Sequence, residues 1–260
     1  MTSESALVGY SGFVGGNLHR QHRFDAVYNS TNIGEIAGRS FELLVLSAVQ
    51  AKRWWANLNP NEDWAGIERL LASLAHVKAQ RVVLVSTIDV LGVFDGVDED
   101  FDPSGYENHA YGAHRLRLER IVQAMFPKTS VVRLPSLFGP GLKKNVIYDL
   151  LNENQLEKIE PNSSFQYYDL ANLWEHIGLT LREDISLIHL FPEPVTTARI
   201  IQQFFPELRV GSDPGFESQY ACRTKYADLF GGSDGFIWSR EEVCRKLGLY
   251  IESYRRGDIR

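Results

Sequence analysis

The sequence predicts an α/β fold built on a doubly wound parallel sheet with a small C-terminal lid, and three observations carry that prediction. Short apolar runs at 6–9, 26–28, 43–47, 81–87 and 130–134 alternate with amphipathic stretches, the rhythm of βαβ units. The first run leads directly into Gly9-Tyr-Ser-Gly12-Phe-Val-Gly15-Gly16, a glycine turn that opens a helical stretch. With 260 residues, 44% of them apolar, the chain can bury the core of one such domain, or of a large domain with an appendage.

Each element has its own signal. Trp64, Ile67, Leu70, Leu71, Leu74 and Val77 recur at three- and four-residue spacings and predict a helix over 64–77 with one stripe against a sheet. A second helix is predicted over 110–126. After Pro140 the pattern changes, with helices predicted over 145–151, 170–182 and 196–205 and a late strand over 186–190. Loops follow as far as Ser239-Arg-Glu-Glu242, a capping box that opens a terminal helix. Neither a repeat nor a clean linker is present. We therefore read 1–140 as a dinucleotide-binding part and 141–260 as a mixed segment that completes the sheet and forms a substrate-binding lid.

A net charge of -6 argues against nucleic acid or an anionic membrane as a partner held by general electrostatics. Cys222 and Cys244 have neither metal-ligand spacing nor a disulfide pattern, so no metal site is expected and a reducing compartment is. No basic segment followed by an apolar one precedes the glycine turn, and no apolar run approaches a membrane span. The expectation is a soluble, cytoplasmic protein.

A strand, a tight glycine turn and a helix N-terminus aim backbone N–H groups and the positive end of the helix dipole at a pyrophosphate. This gives the sheet its Rossmann-like character and predicts an NAD(P) site at Gly9, Ser11, Gly12, Phe13, Val14 and Gly15. A carboxylate at the end of the second strand would grip the ribose 2′-hydroxyl of NAD, and an arginine would favour the 2′-phosphate of NADP. The chain has Asn29, Ser30 and Asn32 there and Arg20 one helical turn beyond the glycines, a slight lean to NADP.

The fourth strand ends in Ser86-Thr87, and in a doubly wound sheet ligands bind beyond the carboxyl ends of the strands. Tyr111 and Arg115, four residues apart, share one face of the following helix. A phenol is a poor base at neutral pH, and a fixed cation beside it favours the phenolate. Thr87 would then bind a substrate oxygen while Tyr111 moves a proton and the cofactor a hydride. The bland reading of the same pair is a core tyrosine with a cation stacked on it. His109 and His114 are assigned no role.

With these pieces in order the chain resembles the extended short-chain dehydrogenases, the NAD-dependent epimerase/dehydratase family of nucleotide-sugar enzymes. The likeness runs from about Ala6 to Asp169. Besides the glycine turn it rests on Leu44-Val-Leu-Ser-Ala48, Gly66 with Leu70-Leu71, Ser86-Thr87 with Gly92, Tyr111-Gly112 with Leu116 and Glu119, and Arg133-Leu-Pro-Ser-Leu-Phe-Gly139-Pro-Gly141. The resemblance implies a catalytic set of Thr87, Tyr111 and Arg115, with Arg115 standing where the family has a lysine that holds the nicotinamide ribose and lowers the tyrosine pKa. Arginine keeps the charge but changes reach and donor geometry. The resemblance adds Ser47, Ala48, Ser86 and Pro135 to the cofactor set.

It also implies a nucleotide-sugar ligand, met by Thr87, Ser136, Asn145, Lys144, Gln166 and Arg223, with Lys143 as a further cation. Many relatives pair their tyrosine helices, so a homodimer is implied. Dehydratases of the family place an Asp-Glu pair after the threonine where this chain has Ile88-Asp89, which leaves reduction or epimerisation. The competing reading, motivated by Arg115, is a non-catalytic NAD(P)-binding sensor or assembly protein.

Overall fold

The computed structural model of the chain describes residues 4–259. Its first half contains β1 (Ser5–Val8), α1 (Phe13–Gln21), β2 (Ala26–Tyr28), β3 (Ser40–Leu46), α2 (Arg53–Leu58), α3 (Pro60–Leu74), β4 (Lys78–Thr87) and α4 (Ala110–Met125). There follow β5 (Thr129–Leu134), β6 (Ser136–Phe138), α5 (Val146–Leu151), β7 (Ser164–Phe165), β8 (Tyr167–Asp169) and α6 (Leu173–Arg182). The last elements are β9 (Leu187–His189), β10 (Val195–Thr196), α7 (Thr197–Phe204) and α8 (Arg240–Arg256).

Two compact units result. The first comprises Met1–Gly92, Asp102–Arg133 and Asn172–Ile188, the second Val93–Phe101, Leu134–Ala171 and His189–Arg260. The sequence divides the chain once, after residue 140, whereas the units are discontinuous. The reason is backbone pairing: α6 and β9 return to the first unit, where β9 extends the sheet beyond β5.

In the first unit six strands pair in the order β2-β1-β3-β4-β5-β9. Ala6 lies opposite Ala26, Leu7 opposite Val45 and Leu44 opposite Val82, all in parallel register. Chain order reverses at β1, which has β2 on one side and β3 on the other, so the carboxyl ends of β1 and β3 flank the switch point where such sheets bind ligands. Strands apolar at consecutive positions must be covered on both faces. Leu44, Leu46, Val82 and Leu84 share one face and pack with Ile67 and Leu74 of α3 and Leu118 and Val122 of α4, while Leu7, Val45 and Val83, which point to the other face, are buried as well.

The α3 helix begins earlier than its apolar stripe indicates because Pro60 occupies its first turn, where a missing N–H costs nothing. The α2 helix was not expected, since its six residues are too few to show a period.

In the second unit β6 runs parallel to β8 and β7 antiparallel to β10. Phe138, Tyr167, Tyr168, Phe191, Leu247 and Ile251 are buried there. Ser239 accepts the Glu242 N–H at 3.3 Å, the cap expected for the terminal helix. Cys222 and Cys244 are buried and unbridged, and burial pushes the Cys222 thiol up to about 12. Among the described residues no helix is long and apolar enough to cross a membrane.

Candidate active site

Parallel strands put their carboxyl ends on one edge of the sheet, so the glycine turn after β1, Ser47 after β3 and Thr87 at the end of β4 share that edge. Gly9 has φ +94°, and a Cβ on it would lie 2.5 Å from the Ser47 carbonyl oxygen. A Cβ on Gly15 would lie 2.1 Å from the Gly9 carbonyl oxygen and 2.7 Å from Ser47 Oγ. Gly12 caps α1 with no side-chain hydrogen bond, which leaves the N–H groups of Phe13, Val14 and Gly15 to an incoming anion. A cradle that side chains would fill, at a helix N-terminus on the switch point, fits a dinucleotide pyrophosphate. Gly15→Ala is expected to weaken NAD(P)H binding on the order of tenfold or more, read by calorimetric titration, with binding at wild-type strength as the opposing result.

The loop after β2 is built by its asparagines. Asn32 Oδ1 accepts the Asn29 N–H at 2.7 Å and Asn32 Nδ2 donates to the Val27 carbonyl at 3.1 Å. Asn29 accepts from Thr31 and donates to the Tyr10 hydroxyl at 3.2 Å. The side chains expected to meet a 2′-substituent thus shape the loop, and Ser30 is exposed on it. Ser47 Oγ donates to the Val8 carbonyl at 3.2 Å, tying β3 to the turn.

Tyr111 is held from three directions. Asn57 of α2 accepts its backbone N–H at 2.9 Å. His109 caps the helix by accepting the Gly112 N–H on Nδ1 at 3.0 Å. The Arg115 guanidinium lies over its ring, 4.2 Å from the centroid. The Tyr111 hydroxyl interacts with Thr87, which brings together two of the residues implied as catalytic.

The electrostatics differ from the expectation. Burial, opposed by Arg115 and Thr87 and reinforced by Asp89 and Asp63, pushes the Tyr111 hydroxyl up to about 12. The cation expected to lower it does so but is outweighed by burial. Arg115 makes a bidentate pair with buried Asp63, with the Nη1 to Oδ2 contact and an Nη2 to Oδ1 bond of 2.9 Å, and donates to the Gln50 carbonyl at 2.6 Å. His114 Nδ1 lies 2.8 Å from the same carboxylate. Burial pushes Asp63 up, but the Arg115 and His114 hydrogen bonds outweigh it and hold the acid below its ordinary value.

Beside Thr87 sits an acid. Thr87 Oγ1 donates to Asp89 Oδ2 at 3.2 Å and accepts the Asp89 N–H at 3.2 Å. Asp89 Oδ1 faces Arg53 at 3.1 Å and His109 Nε2 at 3.7 Å. Ser86 Oγ donates to Glu119, whose buried carboxylate takes Arg133 through Nε at 3.1 Å and Nη2 at 2.7 Å. Ser86 therefore anchors the end of β4 to α4 through its hydroxyl.

The residues expected to meet the sugar nucleotide, Thr87 apart, lie in the second unit. Asn145, at φ 114°, caps α5 by accepting the Tyr148 N–H at 3.1 Å and donates to the Leu137 carbonyl at 2.9 Å. Arg223 donates to the Asp234 carbonyl at 2.9 Å and is otherwise exposed, as are Lys143 and Lys144. Pro135 and Ser136 follow directly on β5 and open β6. Gln166 is a correction. It is 1% exposed, its amide donates to the Pro192 and Cys222 carbonyls at 2.7 and 2.8 Å, and it accepts the Cys222 N–H at 3.0 Å, so it ties backbone together and has no face for a substrate.

The sequence reading missed Asp63, Asn57 and Arg53. An acid in the first turn of a helix is what the helix dipole favours at any surface, so nothing in the sequence set Asp63 apart. Asn57 and Arg53 lie on the unexpected α2.

The family model described as NAD dependent epimerase/dehydratase matches residues 17–164, more than half of the chain. No curated protein matches. Among solved structures, UDP-glucose 4-epimerase from Thermotoga maritima, determined with UDP-glucose, superposes with a TM-score of 0.77 at 12% identity, covering 98% of this chain and 99% of that one. A dTDP-4-dehydrorhamnose reductase from Bacillus anthracis in complex with NADP gives 0.73 at 16% identity over 97% and 99% of the two chains. A UDP-glucuronic acid 4-epimerase from Bacillus cereus, bound to a fluorinated UDP-glucuronic acid and NAD, gives 0.71 at 12% over 97% and 99%. These likenesses establish the fold.

Proposed function

The chain belongs to the NAD-dependent epimerase/dehydratase family, and from that premise we propose that it reduces a keto group on a nucleotide-linked sugar with NAD(P)H. The observation that carries this reading is the Tyr111 hydroxyl beside Thr87, on the sheet edge that bears the glycine turn. Burial keeps that hydroxyl a phenol at neutral pH, and a phenol can give a proton but not take one. Bound NAD(P)H supplies the hydride. Thr87 binds the carbonyl oxygen and Tyr111 gives it a proton as the carbon is reduced, leaving a secondary alcohol. Epimerisation through a ketone would need Tyr111 to take a proton first, which its burial opposes.

The glycine turn with Ser47 and Ala48 would hold the cofactor. The lack of a carboxylate over 29–32, with Arg20 one helical turn beyond the glycines in α1, favours NADPH. Ser136, Asn145, Lys144 and Arg223 remain the proposed contacts to the nucleotide sugar. A cytoplasmic setting and a homodimer through α4 belong to the same reading, and a monomer by light scattering would contradict the dimer.

One observation favours a second reading, a non-catalytic NAD(P)-binding protein: the Arg115 fork is committed to Asp63 and the Gln50 carbonyl. A panel of UDP-, dTDP- and GDP-linked keto sugars, followed by nicotinamide absorbance, separates the two. Oxidation of NAD(P)H with one of them supports the reductase. Tight cofactor binding with no oxidation on any member supports the binder.

A further inference from the structure

Two acids and four basic groups around Tyr111 are not used by the proposed reaction. On its own helix are Arg115 and His114, and at the cap His109. Asp63 faces it from α3 and Asp89 from the turn after β4, the latter paired with Arg53 of α2. One of these groups ties α3 to the tyrosine helix. Asp63 is 5% exposed, and it gathers two side chains of the tyrosine helix, Arg115 by both carboxylate oxygens and His114 at 2.8 Å.

We propose that Asp63 is a positioning residue for Tyr111: it clamps the Arg115 guanidinium against the tyrosine ring and offsets part of its charge, so that less of the cation's pull toward the phenolate reaches the hydroxyl. The inference rests on the reductase reading, for which a donor is the form required.

Geometry carries it. Arg115 Cζ is 4.2 Å from the ring centroid, close enough for an uncompensated cation to favour the phenolate. A bidentate carboxylate is the partner that fixes a planar guanidinium most firmly. The Gln50 carbonyl, at 2.6 Å from Nη2, completes the clamp. Freed from Asp63, the Arg115 charge would act on the phenol unopposed by that carboxylate, and the guanidinium could turn toward the phenol oxygen. Burial is the main cause that raises the Tyr111 hydroxyl; Arg115 lowers it and Asp63 adds to the rise, the two opposed directions that the clamp balances.

The test reads ionisation and needs no substrate. Protein carrying [ζ-13C]tyrosine is titrated by NMR, with the Tyr111 resonance identified by its loss in Tyr111→Phe. In the wild type that resonance should stay in the phenol form through the range where ordinary tyrosines titrate. In Asp63→Asn it should titrate at least about half a pH unit lower, the sign expected when a negative charge is removed and a positive one released. An unmoved Tyr111 titration in folded Asp63→Asn overturns the proposal.

If Asp63→Asn fails to fold, Arg115→Gln and Asp63→Asn/Arg115→Gln isolate the same charge. The double variant should titrate below the single one, and coincident curves count against the proposal. Because no turnover is measured, a protein that reduces nothing can still pass this test, and a working reductase can fail it.

Discussion

Tyr111→Phe is expected to lower the turnover of NAD(P)H with the keto-sugar substrate by about 10²–10⁴-fold, with cofactor affinity and thermal midpoint close to wild type. The substitution removes one oxygen and keeps the ring. Arg115 stacks on the ring, so its contact survives, and Asn57 and His109 hold the helix through backbone N–H groups that phenylalanine also has. What is lost is the proton for the developing alkoxide and the partner of Thr87. The effect should therefore fall on kcat, with little change in the concentration of cofactor needed. Turnover equal to wild type would sink the assignment of Tyr111 as the proton donor. Equal loss of cofactor binding would show that the phenol serves structure.

The fold was legible wherever local pattern and tertiary role coincide. The apolar runs of β1, β3, β4 and β5 and the stripe of α3 are what a covered parallel sheet requires, and Gly9 and Gly15 stand where any Cβ would strike backbone. Thr87 and Tyr111 were legible because a strand end and a helix face could be placed on one sheet edge. The charges were not. Arg115 shows in the sequence as a cation four residues from a tyrosine, but its partner lies 52 residues away, on a helix whose first turn welcomes acids regardless of function. Gln166 misled for a related reason: the resemblance put it among the ligand contacts, and nothing local reveals that two carbonyls and an N–H from distant segments already occupy it.

Arg133→Met should destabilise the folded protein by about 3–5 kcal/mol, read as the loss of unfolding free energy in urea. Arg133 and Glu119 are both 3% exposed, so removing the guanidinium strands an ionised carboxylate with one hydroxyl, that of Ser86, as its remaining side-chain partner. Replacing both members, Arg133→Met with Glu119→Leu, takes the buried charges away together. That variant should regain much of the lost stability, because desolvating an ion pair costs about as much as its attraction returns.

Activity should not follow stability. Glu119 is the acceptor that fixes Ser86, and Ser86 immediately precedes Thr87 at the end of β4. In the double variant the strand end loses that anchor, so turnover should fall below that of the wild type although stability recovers. A single variant as stable as the wild type would mean the pair is not the closed, buried couple described above. A double variant that recovers both properties would mean that the Ser86 hydroxyl plays no part in placing Thr87.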